Sequence, residues 1–435
     1  MSEKKTVVIA GAGIAGLSAA YYLKQSGFED FIILERFLEP GGLCRSIKKD
    51  GFTFDMTGHV LWRMDPETRK FYEHLLEGNL VWVERKAAVY THDRFIPYPF
   101  QTHLKNLPQD VLYECLYGFF TRDRHLRGVD FESWSLNMFG DGIHKHFMVP
   151  FNEKLFGVPL REMTNDWCQD IPSPTTEQIL RGAILGETFT QKGNALFGYP
   201  KEGGMQALVD ALIKFIGPEK IMTGRTVCRV DPEKREITHK DFAGNENTIQ
   251  YEKLISTITL QKLLFVLSPP NEQLIQFGRS LRSNSVACVM LGFEKPLSDL
   301  HWLYVPEKKF PFYRIGFTNN LTASVAPEGC GSITAEIVIP KNATSISQDD
   351  FVASTLTGLR EIGLLKPNNH VKTMQVEFIA PAYVIYDLVR KNVPTVLDKL
   401  KTMDICSIGR FGSFAYTSVS DNVAEARTTV KHILR

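Results

Sequence analysis

The chain carries almost no net charge. Its 50 Lys and Arg offset 49 Asp and Glu, leaving +1 at pH 7, so no overall field favours nucleic acid or an anionic membrane surface. Cysteine is sparse and unpatterned, with seven residues at 44, 115, 168, 228, 288, 330 and 406 and no C-x-x-C pair. An odd, scattered set argues against a disulfide framework, and free thiols in a reducing cytoplasm are expected. No partner His or Cys lies at ligand spacing around the chain's most interesting histidine, His59, so no metal site is expected. The longest apolar stretch, Val7 to Leu23, contains glycines at a turn and falls short of the roughly 20 residues a membrane span needs. No later segment repeats the opening motif, and no Ser/His/Asp arrangement shows informative spacing. With 43% hydrophobic and 23% charged residues over 435 positions, what remains is an ordinary globular chain, long enough for two or three domains.

Against that background the stretch from Thr6 to Glu35 stands out. Thr6–Ala10 is a short apolar run suited to a buried parallel strand. Gly11, Gly13 and Gly16 follow as G-x-G-x-x-G, with Ile14 and Ala15 between them. The first glycine permits a tight turn, the second lets backbone approach a pyrophosphate, and the third lets a helix close onto the strand. Residues Leu17 to Lys24 supply that helix, whose N-terminal amides would face the phosphates. A second strand, Phe31–Leu34, ends in Glu35, 19 positions after Gly16. That is close to the spacing of about 20 for an acid that binds ribose hydroxyls. Strand, turn, helix, strand and acid occur in order, and together they predict a dinucleotide site.

Beyond Glu35 and Arg36 the pattern leaves the dehydrogenase plan. Pro40-Gly41-Gly42-Leu43 makes a turn ahead of Arg45. A hairpin is expected over Lys48–Phe54, turning at Asp50-Gly51, and Gly58-His59 marks a further bend. This arrangement resembles the flavin amine oxidase superfamily, which includes protoporphyrinogen oxidase, carotene desaturases and UDP-galactopyranose mutase. The resemblance implies FAD. It puts the glycine turn and Glu35 on the ADP half, and Gly41, Gly42, Leu43 and Arg45 by the ribityl chain and pyrophosphate. It sets Gly58 and His59 against the flavin ring, with Val227 as an adenine contact.

Further motifs are similar to eukaryotic-type UDP-galactopyranose mutases: Tyr98-Pro99-Phe100-Gln101, Phe147–Lys154, Phe312-Tyr313-Arg314 and Gly409-Arg410-Phe411-Gly412 followed by Tyr416. In that family an arginine shortly after a tryptophan grips the substrate diphosphate, yet Trp167 is followed here by Asp170 and Ile171. A second departure is Val419-Ser420 where mutases have Gly-Asn. Arg314 is then the best remaining anion hook, with Tyr383 or Tyr386 near a phosphate-binding position and Tyr416 close by. The final helix, capped by Ser420 or Asp421, would start beneath the flavin's pyrimidine edge, where amides favour a cofactor that turns anionic on reduction.

The fold expected is α/β, a Rossmann-type FAD/NAD(P)-binding domain assembled from discontinuous segments 1–75, 196–260 and 400–435. A helical insertion spans 76–195, and a mostly antiparallel β-sheet substrate domain spans 261–399. Two activities fit the resemblance. One is a mutase-like isomerisation in which the reduced flavin's N5 attacks the anomeric carbon of a nucleotide-sugar or other sugar-derived small molecule, without net redox. The matching machinery is His59, Arg314, Tyr383 and Tyr416, and NAD(P)H is a candidate reductant. The other is an oxidase or dehydrogenase of the amine oxidase or protoporphyrinogen oxidase type, which the missing arginine favours. A flavin-binding protein without turnover is a third reading.

Overall fold

The computed structural model describes residues 6–125, 128–189, 196–341 and 347–435. Its organising unit is a five-stranded parallel sheet ordered Ile405–Ser407, Lys253–Ser256, Val7–Ala10, Phe31–Leu34, Ile221–Met222. The opening strand is central and buried throughout, as a parallel strand covered on both faces must be. From it the chain moves outward first to one side and then, much later, to the other. That reversal leaves a crevice at the strands' carboxyl ends, where open α/β sheets bind ligands. Gly11, Thr257 and Gly409 all follow sheet strands at that edge. The helix Ile14–Gln25 buries Ala15, Gly16, Leu17, Ala19, Ala20 and Leu23. It packs between the helix Gln206–Ile216 and the final helix Val419–Ile433.

The second large unit is a seven-stranded sheet ordered Val371–Ile379, Ser285–Phe293, Gly331–Ile339, Arg314–Gly316, Trp302–Tyr304, Ala87–Thr91, Arg94–Pro97. It is antiparallel except where Trp302–Tyr304 runs parallel to Ala87–Thr91. The helix Gln348–Glu361 lies against it, over a separate apolar cluster that includes Leu291, Phe312 and Leu359. The architecture is thus the expected α/β fold with a mostly antiparallel second sheet.

Differences are local and have identifiable causes. The sequence pattern of Val81–Phe95 suggests a single hairpin, and the structure divides it. Val81–Glu84 pairs instead with Leu196–Tyr199, and the hairpin joins Ala87–Thr91 to Arg94–Pro97. Its turn is made by His92 and Asp93 at φ 51° and 55°, left-handed positions that no glycine advertised. The stretch 76–195 therefore opens with strands shared between two sheets before Gln109–Thr121 and Phe131–Ile143 begin its helices. The final helix is capped by Ser418, not by Ser420 or Asp421. Ser418 Oγ accepts from the Asp421 amide at 3.1 Å, and Asp421 accepts in return from the Ser418 amide at 2.8 Å, a capping box. By contrast, Asp50 and Gly51 turn the first hairpin at φ 49° and 82° as expected.

Candidate functional site

At the carboxyl edge of the parallel sheet two glycine turns face each other. Gly13 bridges Gly41, and the Gly41 amide donates to the Ala12 carbonyl at 2.7 Å. A Cβ on Gly13 would meet nothing nearer than the Gly42 Cα at 4.0 Å, whereas one on Gly16 would overlap the Gly11 carbonyl oxygen. Gly16 is therefore needed by the protein, and Gly13 by whatever lies in the space beside it. The helix starting at Ile14 has no side-chain cap and no acidic residue in its first turn. Its leading amides are thus left for an anion. Glu35 is buried; one carboxylate oxygen accepts from the Ala12 amide at 2.7 Å and the other from the Phe37 amide at 2.9 Å. Each oxygen keeps a lone pair for a ribose hydroxyl. Glycine cradle, uncapped helix and oriented acid together fit the ADP half of a dinucleotide.

The remaining expected cofactor residues gather around this edge. Arg45 Nε donates to the Gly42 carbonyl at 3.1 Å, tying the second turn from within. Arg36 is exposed and stacks 4.4 Å above Phe37, so it sits at the rim. Val227 lies on the outer strand of a three-stranded sheet, next to a bulge, with the neighbouring Arg225 amide donating to Glu35 O at 2.7 Å. Gly409 takes φ 82° and its amide donates to Glu425 Oε2 at 2.8 Å. Arg410 N donates to Asn422 Oδ1 at 2.8 Å, so the final helix holds this turn in place.

The turns adjoin a cavity of about 270 Å³ lined by Leu43, Gly58, His59, Arg314, Tyr383, Arg410 and Tyr416, among others. All four expected catalytic residues meet there, from segments as far apart as 59 and 416. His59 accepts or donates to Thr57 Oγ1 through Nδ1 at 2.8 Å. Burial, reinforced by Arg410 and Arg314, pulls its pKa down to about 3. The imidazole is consequently neutral at any working pH, and in the cofactor-free protein its ring resonances are expected to stay unchanged above about pH 5. A titration midpoint near 6.5 would contradict this placement.

Arg314 is not a loose hook. Its NH2 reaches Glu336 at 2.6 and 2.8 Å and its Nε at 3.1 Å. Tyr313 also donates a short bond to Glu336. Of the two tyrosines left open by the sequence, Tyr383 lines the cavity. Tyr386 is a structural residue, with its hydroxyl accepting the Tyr416 amide at 2.9 Å. Tyr383 and Tyr416 stack at 5.9 Å, and the Arg410 guanidinium lies 5.1 and 4.9 Å from their centroids. Ser420 accepts from the Tyr72 hydroxyl at 3.1 Å and is buried in packing.

Sequence reading missed Arg85 altogether. It lines the same cavity, stacks on Tyr98 at 4.7 Å and Trp302 at 5.4 Å, and bonds the Tyr304 hydroxyl. Its Nε is buried with no partner, as are Arg410 Nε, Trp167 Nε1 and Gln101 Oε1, all on residues lining this cavity. Three are donors and Gln101 Oε1 is an acceptor, and unpaired buried polar atoms of this kind are met by water or by a ligand in the cavity. No spacing could have flagged Arg85, since its neighbours Trp302 and Tyr304 lie more than 200 positions away. Among the described residues no group of His, Cys, Asp and Glu is arranged to hold a metal ion, and no helix is long and apolar enough to cross a membrane.

Residues 14–374 match the family of flavin containing amine oxidoreductases. The chain belongs to that family. It is an FAD-dependent enzyme, and the glycine cradle with Glu35 suits that cofactor. Its fold is similar to the crystal structure of a reduced UDP-galactopyranose mutase, with TM-score 0.92, 25% identity, and 99% of this chain and 95% of that one covered. Coproporphyrinogen III oxidase of Bacillus subtilis (strain 168) is 22% identical over 82% of this chain and 83% of its own length. All-trans-retinol 13,14-reductase of Macaca fascicularis is 35% identical over 83 residues, 19% of this chain. The chain matches only 13% of that reductase's length, a local likeness.

Proposed function

We propose that this flavoenzyme acts on an anionic sugar, such as a nucleotide-sugar, and rearranges it without net oxidation. The supporting observation is that Arg85, Arg314 and Arg410 line one cavity that adjoins the glycine turns, two of them with an unpaired buried Nε–H. Guanidinium forks are the side chains best matched to phosphate oxygens. Arg314 is neutralised by Glu336, but an amine substrate, cationic at neutral pH, would still meet Arg85 and Arg410 in a low-dielectric site, where repulsion is strong.

Bound FAD would supply, in its reduced form, the nucleophilic ring nitrogen that such an isomerisation needs. The protein's share is binding, orientation and exclusion of water. Arg85 and Arg410 are assigned to the substrate's anionic group, and Tyr383 with Tyr416 to walling the reacting end. His59, kept neutral, offers a hydrogen-bonding nitrogen against the flavin without adding positive charge. NAD(P)H is proposed as the source of reducing equivalents.

A second reading draws on the coproporphyrinogen oxidase likeness. An arginine-lined cavity also suits a substrate bearing carboxylates, and the reaction would then be net oxidation. The two readings separate on purified yellow protein. UDP or a UDP-sugar should perturb the flavin spectrum, and sugar isomerisation should appear only after reduction with dithionite. Peroxide release or flavin reduction coupled to substrate loss, with no response to UDP, would overturn the proposal.

A further inference from the structure

Ile171 makes the cavity wall apolar where a mutase-like site would carry a guanidinium, and its neighbour Asp170 holds a guanidinium from another segment. Arg63 lines the cavity together with Asp170 and Ile171. Its NH1 binds Asp170 Oδ2 at 2.6 Å, which places the fork beside the residue immediately preceding Ile171. Asp421, at the start of the final helix, lies 4.0 Å from Arg63 Nε. Asp421 Oδ2 is already occupied by the Ser418 amide and hydroxyl.

Arg63 takes φ 54°, a left-handed backbone rare for a side chain of this kind. Such outliers persist where the surroundings hold them and often mark functional positions. The residue comes from the segment just after Gly58-His59. Asp170 engages only one terminal nitrogen of the guanidinium. The cavity lining carries the guanidinium groups of Arg63, Arg85, Arg314 and Arg410 and the carboxylates of Asp170 and Asp421, and buried Glu336 pairs with Arg314. The balance stays positive even with Arg63 paired.

We infer that Arg63 supplies the anion-binding guanidinium that position 171 lacks, with Asp170 orienting it. The inference rests on the anionic-sugar reading and deepens it: the substrate carries an extended anionic group, a diphosphate rather than a single carboxylate. One end of that group meets Arg85 and Arg410, and the other meets Arg63. Asp170 and Ile171 are then consistent with one another, since Asp170 gives Arg63 its carboxylate partner.

The test titrates FAD-loaded protein with UDP and with inorganic pyrophosphate, following the flavin spectrum. Arg63→Ala should retain FAD and weaken UDP binding about tenfold or more, as loss of one charge-assisted contact does. Arg63→Ala/Ile171→Arg should recover most of the affinity, which a merely structural role for Arg63 would not allow. Equal UDP affinity in wild type and Arg63→Ala overturns the inference, and the anionic reading survives if Arg85→Ala still abolishes binding. Failure of the wild-type protein to bind either anion overturns both. Loss without rescue in the double variant assigns Arg63 to holding the His59 turn and also overturns the inference.

Discussion

Gly13→Val is expected to give a folded protein that purifies without FAD. Gly13 has ordinary extended backbone at φ −75°, ψ 178°, which valine adopts without strain. A Cβ there would meet only the Gly42 Cα, at 4.0 Å, an ordinary contact that displaces no protein atom. What it fills is the gap between the two glycine turns, ahead of the helix amides, where the pyrophosphate must approach backbone directly. Loss of FAD affinity by about a hundredfold or more is the expected scale, since both hydrogen bonds and close approach are lost together. Gly16→Val serves as the contrast, because its side chain would overlap the Gly11 carbonyl oxygen and damage the strand–helix packing. Absorbance near 450 nm relative to protein, alongside circular dichroism, separates the two. A Gly13→Val protein that emerges yellow and fully loaded would remove the cofactor from this cradle.

The contrast between Gly13 and Gly16 also shows where sequence reading has its strength. Local rules governed the opening unit: a continuous apolar strand, glycines at a turn and an acid at ribose spacing each follow from backbone geometry over a few residues. The structure accordingly has strand, helix and second strand within a few residues of expectation. The helix Gln206–Ile216 carries the same kind of local signal, since Leu208, Leu212 and Ile213 recur at helical spacing. Strand pairing was not. Nothing local to Val81–Glu84 says that its partner lies at Leu196–Tyr199, more than a hundred residues away. The site was half legible. His59, Tyr383 and Arg410 sit beside recognisable motifs, whereas Arg63 and Arg85 matter only because the fold carries them into a cavity shared with residues remote in sequence. Arg314 was legible as a residue, but its bond to Glu336 was not, because that pairing depends on the register of two antiparallel strands.

That register makes Glu336 the most consequential acid in the second sheet. It is 2% exposed, opposite Arg314 across the sheet, and accepts from both Arg314 and Tyr313. Burial alone would lower the Arg314 pKa, yet the Glu336 carboxylate holds it well above its ordinary value, so the guanidinium stays charged. Removing the carboxylate leaves that charge uncompensated. Glu336→Ala is therefore expected to lose about 3–5 kcal/mol of stability, the usual consequence of breaking one side of a buried pair. Urea unfolding of FAD-matched samples would measure it. Replacing both partners with apolar residues, Arg314→Met/Glu336→Leu, should recover much of the loss, because the penalty lies in the orphaned charge rather than in the missing bond. Glu336→Gln is the informative middle case. It keeps the shape, removes the negative charge and releases Arg314 toward the cavity, so stability should fall while UDP affinity rises. A variant that is destabilised without any gain in anion binding would show that Arg314 serves the sheet and has no share in holding substrate.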